Sequence, residues 1–96
     1  MDIIITYDIN TETREGRRRL RKVAEICLNY GQRVQFSVFE CSVSEMQLDQ
    51  LLHQLEEEIN IKSDSVRMYR LPGGRSALVS ALGRDSYIDF CGPLVV

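Results

Sequence analysis

The sequence lacks the features that mark a membrane protein, a disulfide-stabilised scaffold or a zinc protein. No apolar run approaches the roughly 20 residues that a membrane-spanning helix needs. The apolar start is interrupted by Thr6 and Asp8 and has no basic leader, which favours a strand over a signal peptide. The three cysteines, Cys27, Cys41 and Cys91, are odd in number and form no C-x-x-C pair. We therefore expect a soluble, cytoplasmic protein with reduced, mostly buried thiols.

Other common functional signals are missing too. His53, the one histidine, has no ligand partner at metal-binding spacing, so we interpret it as a solvated helical side chain. The Pro-Gly-Gly segment at 72–74 lacks the Lys-Ser/Thr of a phosphate-binding loop and predicts a turn. No repeat, linker or low-complexity stretch divides the 96 residues. We expect a single domain over residues 1–96.

Basic residues are absent from 34–61, although the chain contains twelve Lys and Arg. Seven of the twelve lie between positions 14 and 33, so the net charge of -2 hides one basic helix and one acidic helix. The seven are Arg14, Arg17, Arg18, Arg19, Arg21, Lys22 and Arg33. Solvated helix faces would explain this pattern, and so would a localised phosphate-binding surface.

Periodicity predicts the first half of the fold. A β-branched run over 2–9 indicates a central strand, with Ile3, Ile5 and Tyr7 on one face and Asp8 on the other. An amphipathic helix then ends near positions 30–31. From position 33 apolar residues recur at every second position, which would place Phe36 on the same strand face as Val34 and Val38. The run is long enough to bend into two strands.

The second half begins with a capping box, in which Ser44 precedes Gln47 by three residues and opens an apolar-striped helix. A strand over 65–71 follows, and the stretch over 77–82 is predicted to return as its hairpin partner. This order indicates an α+β, ferredoxin-like sandwich, with two helices on one face of an antiparallel sheet. A second copy of the chain is the simplest candidate to cover the other face of the sheet. The apolar C-terminal segment from about 83 to 96 is predicted to dock on a sheet edge, completing a dimer.

The most informative single residue is Asp8, an acid at a strand tip directly before the arginine-rich helix. A carboxylate in that position suggests a metal or phosphate site. An Asx-type turn or a loop cap at the strand end would also explain it. The residues alone leave both explanations open.

Four ordered motifs carry a resemblance that spans nearly the whole chain. They are IIITYDI at 3–9, GRRRLRKV at 16–23, YGQRVQ at 30–35 and SVFEC at 37–41, and DSVRMYRL at 64–71 and GPLVV at 92–96 add to them. Together they resemble the Cas-two family, the small CRISPR adaptation proteins of antiviral defence. The stretch from 72 to 91 matches least.

The resemblance implies a ferredoxin-like homodimer in which Asp8 and its symmetry mate hold a magnesium ion. It implies a metal-dependent endonuclease acting on RNA or double-stranded DNA, with Asp8 as the catalytic residue. Members also form the centre of a spacer-acquisition complex, flanked by two Cas-one integrase dimers. By the same resemblance, Arg17, Arg18, Arg19 and Arg33 are candidates for nucleic-acid contact, and Tyr7, Ser37 and Phe39 are candidates for the dimer cleft.

Three functional hypotheses remain open on the sequence. The first is a magnesium-dependent nuclease, although hydrolysis usually requires more carboxylates than Asp8 alone. The second is a noncatalytic scaffold that clamps duplex DNA by its backbone. The third is a small-molecule regulatory module on the same fold.

Overall fold

The computed structural model describes residues 1–80 and 82–83, and these form a four-stranded antiparallel sheet with two long helices and one short helix. The elements in chain order are β1 (Asp2–Asp8), α1 (Arg14–Leu28), β2 (Gly31–Gln35), β3 (Val38–Ser42), α2 (Glu45–Glu58), β4 (Ser65–Arg70) and α3 (Arg75–Leu78). This confirms the predicted α+β, ferredoxin-like class.

The sheet has the order β2-β3-β1-β4, so β1 is a central strand as its β-branched sequence predicts. It pairs antiparallel with β3, where Ile5 faces Phe39, and with β4, where Asp8 faces Ser65. The carboxyl end of β1 therefore lies beside the start of β4 and the β2–β3 turn. Three separate parts of the chain meet there.

Both long helices begin with side-chain caps. Thr13 caps α1 by accepting a hydrogen bond from the Gly16 backbone N–H. A Cβ on Gly16 would lie 1.9 Å from the Asn10 carbonyl oxygen, so only glycine allows α1 to pack this closely on the loop after β1. Ser44 and Gln47 form the predicted capping box of α2.

The core lies between the two long helices and one face of the sheet. Alternate residues of β1 point into it, which confirms the predicted division of that strand's two faces. The most deeply buried side chains are Ile3, Ile5, Val23, Cys27, Phe39, Leu48 and Leu51. On the opposite face, Ile4, Thr6 and Val38 are half-buried and Tyr69 is exposed. That face is only partly covered by the described residues.

The thiols of Cys27 and Cys41 are free and buried, as predicted, whereas Cys91 lies outside the described residues. Burial raises the pKa of Cys27 to about 12, and the nearby Cys41 adds to this effect. Burial likewise raises the pKa of Cys41 to about 11, with a further contribution from Glu40. Such thiols are poor nucleophiles.

Phe36 departs from the predicted alternation. The strand register shifts between Arg33 and Gln35, and Phe36 with Ser37 forms the turn between β2 and β3. Phe36 is 93% exposed instead of sharing a face with its neighbours. The run does bend into two strands, as predicted, and Tyr7 of β1 holds the bend by hydrogen bonds to the Phe36 and Ser37 carbonyls.

The predicted hairpin strand over 77–82 is wrong, because the short helix α3 covers Arg75–Leu78 instead. The chain turns after β4 through Gly73 and Gly74, both of which have positive φ. The Arg75 N–H then donates a hydrogen bond of 2.8 Å to the Asp2 carboxylate, and the Arg75 side chain pairs with Glu40. These contacts direct the segment back over the start of β1. The predicted docking tail lies outside the described residues from position 84 onward.

Two smaller predictions are confirmed. Residues 72 and 73 lie in a turn, and His53 is an exposed helical side chain that lies 2.9 Å from Glu57, one helical turn further on. The longest described helix, α1, has 15 residues and is strongly charged, and none of the described helices could span a bilayer.

Candidate functional site

Asp8 ends β1 with an exposed carboxylate. Strand alternation turns Tyr7 into the core and Asp8 away from it, onto the open side of the sheet. Across the ladder Asp8 faces Ser65, and among the described residues its carboxylate has no hydrogen-bond or ion-pair partner. The Asx-type cap that would explain Asp8 as a purely structural residue is therefore not formed by the described residues.

Asp8 is one of the residues that line a shallow cavity of about 300 Å³ at the end of the sheet. Four of the residues singled out from the sequence line it together: Tyr7, Asp8, Arg33 and Ser37. Ile9, Leu20 and Phe36 complete the wall. Residues separated by about 30 positions in the chain thus line one cavity, with Arg33 over Phe39 on the helix side of the sheet and Asp8 at the strand end.

Tyr7 fixes the rim of this cavity. Its backbone N–H donates to the Ser37 carbonyl at 3.1 Å, and its hydroxyl donates to the Phe36 carbonyl at 3.2 Å. Both acceptors belong to the β2–β3 turn, so one buried residue holds two consecutive turn carbonyls, one with its backbone N–H and one with its side chain. The turn is consequently anchored to the same strand end that carries Asp8.

The Arg33 side chain lies over an aromatic ring, and no acid among the described residues pairs with it. Its guanidinium carbon lies 5.2 Å from the centre of the Phe39 ring. Phe39 is itself fully buried, stacks with Tyr7 at 6.1 Å between ring centres, and supports the cavity from beneath. Within the described part of the chain Arg33 enters no salt bridge, so its charge is available to an anion.

The arginines of α1 divide into two groups. Arg17 and Arg18 are exposed on a basic face that also carries Arg14, Arg21 and Lys22, and the Arg17 side chain donates to the Thr11 carbonyl at 3.3 Å in the loop after Asp8. Glu15 and Glu25 lie on the same face. This surface is basic overall, and Arg17 connects it to the site.

Arg19 has a different position. Its guanidinium binds the Asp64 carboxylate at 2.8 Å, and the two side chains are 18% and 0% exposed. Its neighbours in sequence face the solvent, but Arg19 points inward and is used to compensate a buried acid. The structure therefore assigns Arg19 an internal pairing that is separate from the exposed basic face.

Asp64 is a residue that sequence reasoning missed. Its carboxylate accepts from Arg19, from the backbone N–H groups of Asn10 and Asn60, and from the Ser63 hydroxyl. It thereby joins α1, the loop after β1 and the end of α2. The available signal was an Asp directly before a strand, next to an Asn-x-x-x-Asp spacing typical of a turn.

The pKa of Asp64 reflects two opposing effects. Burial by itself raises the pKa of the carboxyl, whereas the hydrogen bonds from Arg19, Asn60 and Asn10 and the charge of Arg19 lower it. The hydrogen bonds dominate, and the pKa falls to about 2. Asp64 is thus held as a carboxylate at every pH near neutrality.

The donors around Asp8 could hold a hard, partly hydrated cation. No cluster of three or more His, Cys, Asp or Glu side chains suited to a metal occurs in residues 1–80 and 82–83. Magnesium is commonly bound by one or two carboxylates, and water and phosphate oxygens complete its shell. Asp8, exposed and without a partner among the described residues, meets that requirement.

The fold and the site thus define a small ferredoxin-like protein with an exposed strand-end carboxylate beside a basic helix. The model of the family described as CRISPR associated protein Cas2 matches residues 1–77. The chain belongs to this family.

Relatives match over their full length. A protein of Moorella thermoacetica, named CRISPR-associated endoribonuclease Cas2 1, is 53% identical over 96 residues, which is 100% of both chains. A protein of Halalkalibacterium halodurans, named CRISPR-associated endonuclease Cas2, is 46% identical over 99% of both chains. The crystal structure of Streptococcus pyogenes Cas2 superimposes with a TM-score of 0.78 at 49% identity, covering 86% of this chain and 100% of that chain. The recognition made from the motifs is confirmed.

Proposed function

We propose that this protein is a metal-dependent endonuclease of a CRISPR system, cleaving phosphodiester bonds of RNA or double-stranded DNA. The observation that carries the proposal is the cavity lined by both Asp8, whose carboxylate has no partner among the described residues, and Arg33. The names of the relatives, which say endoribonuclease and endonuclease, support the same activity.

The chemistry divides between the residues of this cavity. Asp8 binds magnesium, which supplies charge stabilisation and an activated water when it is present. Arg33 attracts the phosphate and offsets the charge that develops on it. Tyr7 acts through position only, because its hydroxyl and N–H are used in holding the turn. Exposed Arg17 and Arg18 attract the remaining backbone phosphates.

A homodimer would complete this site. One carboxylate per chain is few for phosphodiester hydrolysis, and a two-fold axis near Asp8 would place two of them around one ion. The half-buried Ile4 and Val38 and the exposed Tyr69 on the open sheet face support a partner there. In this proposal the dimer also serves spacer acquisition together with Cas-one integrase dimers.

A second function, a noncatalytic scaffold that clamps duplex DNA, is favoured by the exposed basic face of α1. Five cations lie along that face, and backbone contacts of this kind read no sequence. Such a scaffold would use Arg17 and Arg18 but would not need Asp8.

The test is cleavage of labelled RNA and duplex DNA with magnesium or with EDTA, comparing wild type and Asp8→Asn. The matched control is Asp49→Asn, which removes an exposed aspartate on α2, away from the cavity. If only Asp8→Asn abolishes magnesium-dependent cleavage while binding persists, the nuclease is supported. If no protein cleaves but all bind duplex with a steep salt dependence, the scaffold replaces it.

A further inference from the structure

Phe36 is the most unusual exposed side chain at the site. It is 93% exposed at the tip of the β2–β3 turn, and it lines the cavity that contains Asp8 and Arg33. Covering an exposed aromatic ring with a flat apolar partner removes apolar surface from water and is therefore favourable. We propose that Phe36 forms a stacking subsite for an unpaired nucleobase next to a phosphate bound at Arg33; this rests on the proposed function.

The backbone that carries the ring is held in position before any ligand arrives. The Phe36 carbonyl accepts from the Tyr7 hydroxyl, and the next carbonyl, that of Ser37, accepts from the Tyr7 N–H. The backbone that carries the ring is therefore attached to the strand end that carries Asp8. Binding a ligand there would therefore cost little free energy for ordering the backbone of the turn.

The chemistry of the cavity fits a nucleotide better than a protein surface. A nucleotide unit combines a flat base with a phosphate, and the wall offers an aromatic ring together with the Arg33 guanidinium and the Ser37 hydroxyl. The centres of protein interfaces are depleted in charged residues, whereas this small cavity has a charge of each sign. Phe36 is also a single apolar side chain on its turn, flanked by exposed Gln35 and half-buried Ser37.

Stacking requires an unpaired base. Inside a duplex both faces of each base are covered, so the ring could contact only a frayed end or an extruded base. The subsite therefore distinguishes a single strand from a duplex at this position. It does not distinguish RNA from DNA, because every base has a flat face.

The chain has no tryptophan, so Phe36→Trp introduces a single fluorescent reporter at the subsite. We expect a short single-stranded RNA, added in EDTA to prevent cleavage, to quench this emission with saturation. A strand of the same sequence in DNA should quench similarly, and the same strand with abasic positions should not. The control is Met46→Trp, because Met46 is 72% exposed at the start of α2, beyond the end of β3 opposite the turn.

Binding measured by fluorescence anisotropy gives the second readout. Phe36→Ala and Phe36→Leu should bind the single strand on the order of 10-fold more weakly, while Phe36→Tyr should bind as wild type does. Binding of blunt duplex should change little in all three. High exposure of Phe36 means that none of these variants removes a core contact.

Three results would overturn the subsite: binding without quenching of Phe36→Trp, equal quenching by the abasic strand, or unchanged binding by Phe36→Ala. A blue shift of Phe36→Trp emission that grows with protein concentration in the absence of nucleic acid would assign the ring to a second copy instead. Failure of the proposed nuclease is separate, because it would appear as wild type that quenches and binds normally but does not cleave.

Discussion

Asp8 and Asp64 lie at adjacent ends of paired strands but have opposite surroundings. Asp8 closes β1 opposite Ser65, and Asp64 comes directly before Ser65. One carboxylate is exposed without a partner among the described residues, and the other is fully buried with four hydrogen-bonding groups around it. The acid with the complete set of partners stabilises the fold, while the acid without a partner in the described part of the chain is available for a ligand.

The same division applies to the arginines of α1. Arg19 faces inward and compensates Asp64, whereas Arg18 faces the solvent and has no partner in the described part of the chain. Adjacent residues on a helix are about 100° apart, so one of them can point inward while the next faces water. Reversing the charge of both together would mix loss of fold with loss of binding, and the two must be tested separately.

The largest effect is expected for Asp64→Ala. Removing one partner of a buried pair leaves Arg19 with an uncompensated charge and three other donors without their acceptor, so unfolding free energy should fall by about 3–5 kcal/mol. Urea unfolding measures this difference. Asp49→Ala should change stability by less than about 0.5 kcal/mol, and an equally small change for Asp64→Ala would contradict the structural assignment.

Asp8→Asn should give the opposite result. We expect unchanged stability, because the carboxylate is exposed, and a loss of magnesium-dependent cleavage of more than about 100-fold, since even residues that only orient a metal ligand are worth 10–100-fold. Cleavage rates at saturating magnesium should be measured for wild type and Asp8→Asn, together with an unfolding curve of each protein. A stability loss equal to that of Asp64→Ala would erase the distinction between the two acids.

Low pH should destabilise the folded protein through protonation of Asp64. The folded-state pKa of about 2 lies below the ordinary value of 3.8, so the unfolded chain binds more protons between these values. The stabilisation is complete above the ordinary pKa and is lost as pH falls toward about 2, amounting to about 2 kcal/mol. Unfolding free energies of wild type and Asp64→Asn between pH 5.5 and 3 should therefore converge as pH falls.

The smallest effect is expected for single arginines. Arg18→Ala should lower the slope of log affinity against log salt by about 0.9, with unchanged stability, because one phosphate contact is lost. Arg19→Ala should instead lower stability and leave the slope unchanged. Equal slopes for wild type and Arg18→Ala would remove Arg18 from the nucleic-acid surface.

Much of the fold was predictable because local chemistry and tertiary structure agree. The alternation of β1 and the Ser44–Gln47 capping box depend on neighbours in the chain, and both form as predicted. The segment over 77–82 was mispredicted because Asp2 and Glu40, far away in sequence, bind Arg75 and stabilise a helical turn there. Propensity carries no information about such partners.

The candidate site was predictable in composition but not in assembly. The motifs identified Tyr7, Asp8, Arg33 and Ser37, and the structure brings all four to one cavity. Phe39, also singled out, lies under that cavity inside the core, where Tyr7 and Arg33 cover it. Its burial within the single chain already explains why that position is aromatic.

By itself, the sequence determined the order of strands and helices from β1 to β4, the family, and the position of an acid at the end of the first strand. Those properties follow from periodicity and short motifs, which act between residues close together in the chain. Only the tertiary structure decided which acid and which arginine are buried, and that Phe36 projects from its turn beside Asp8. Burial and hydrogen-bond satisfaction depend on elements that meet after folding, so identical residue types take opposite roles a few ångströms apart.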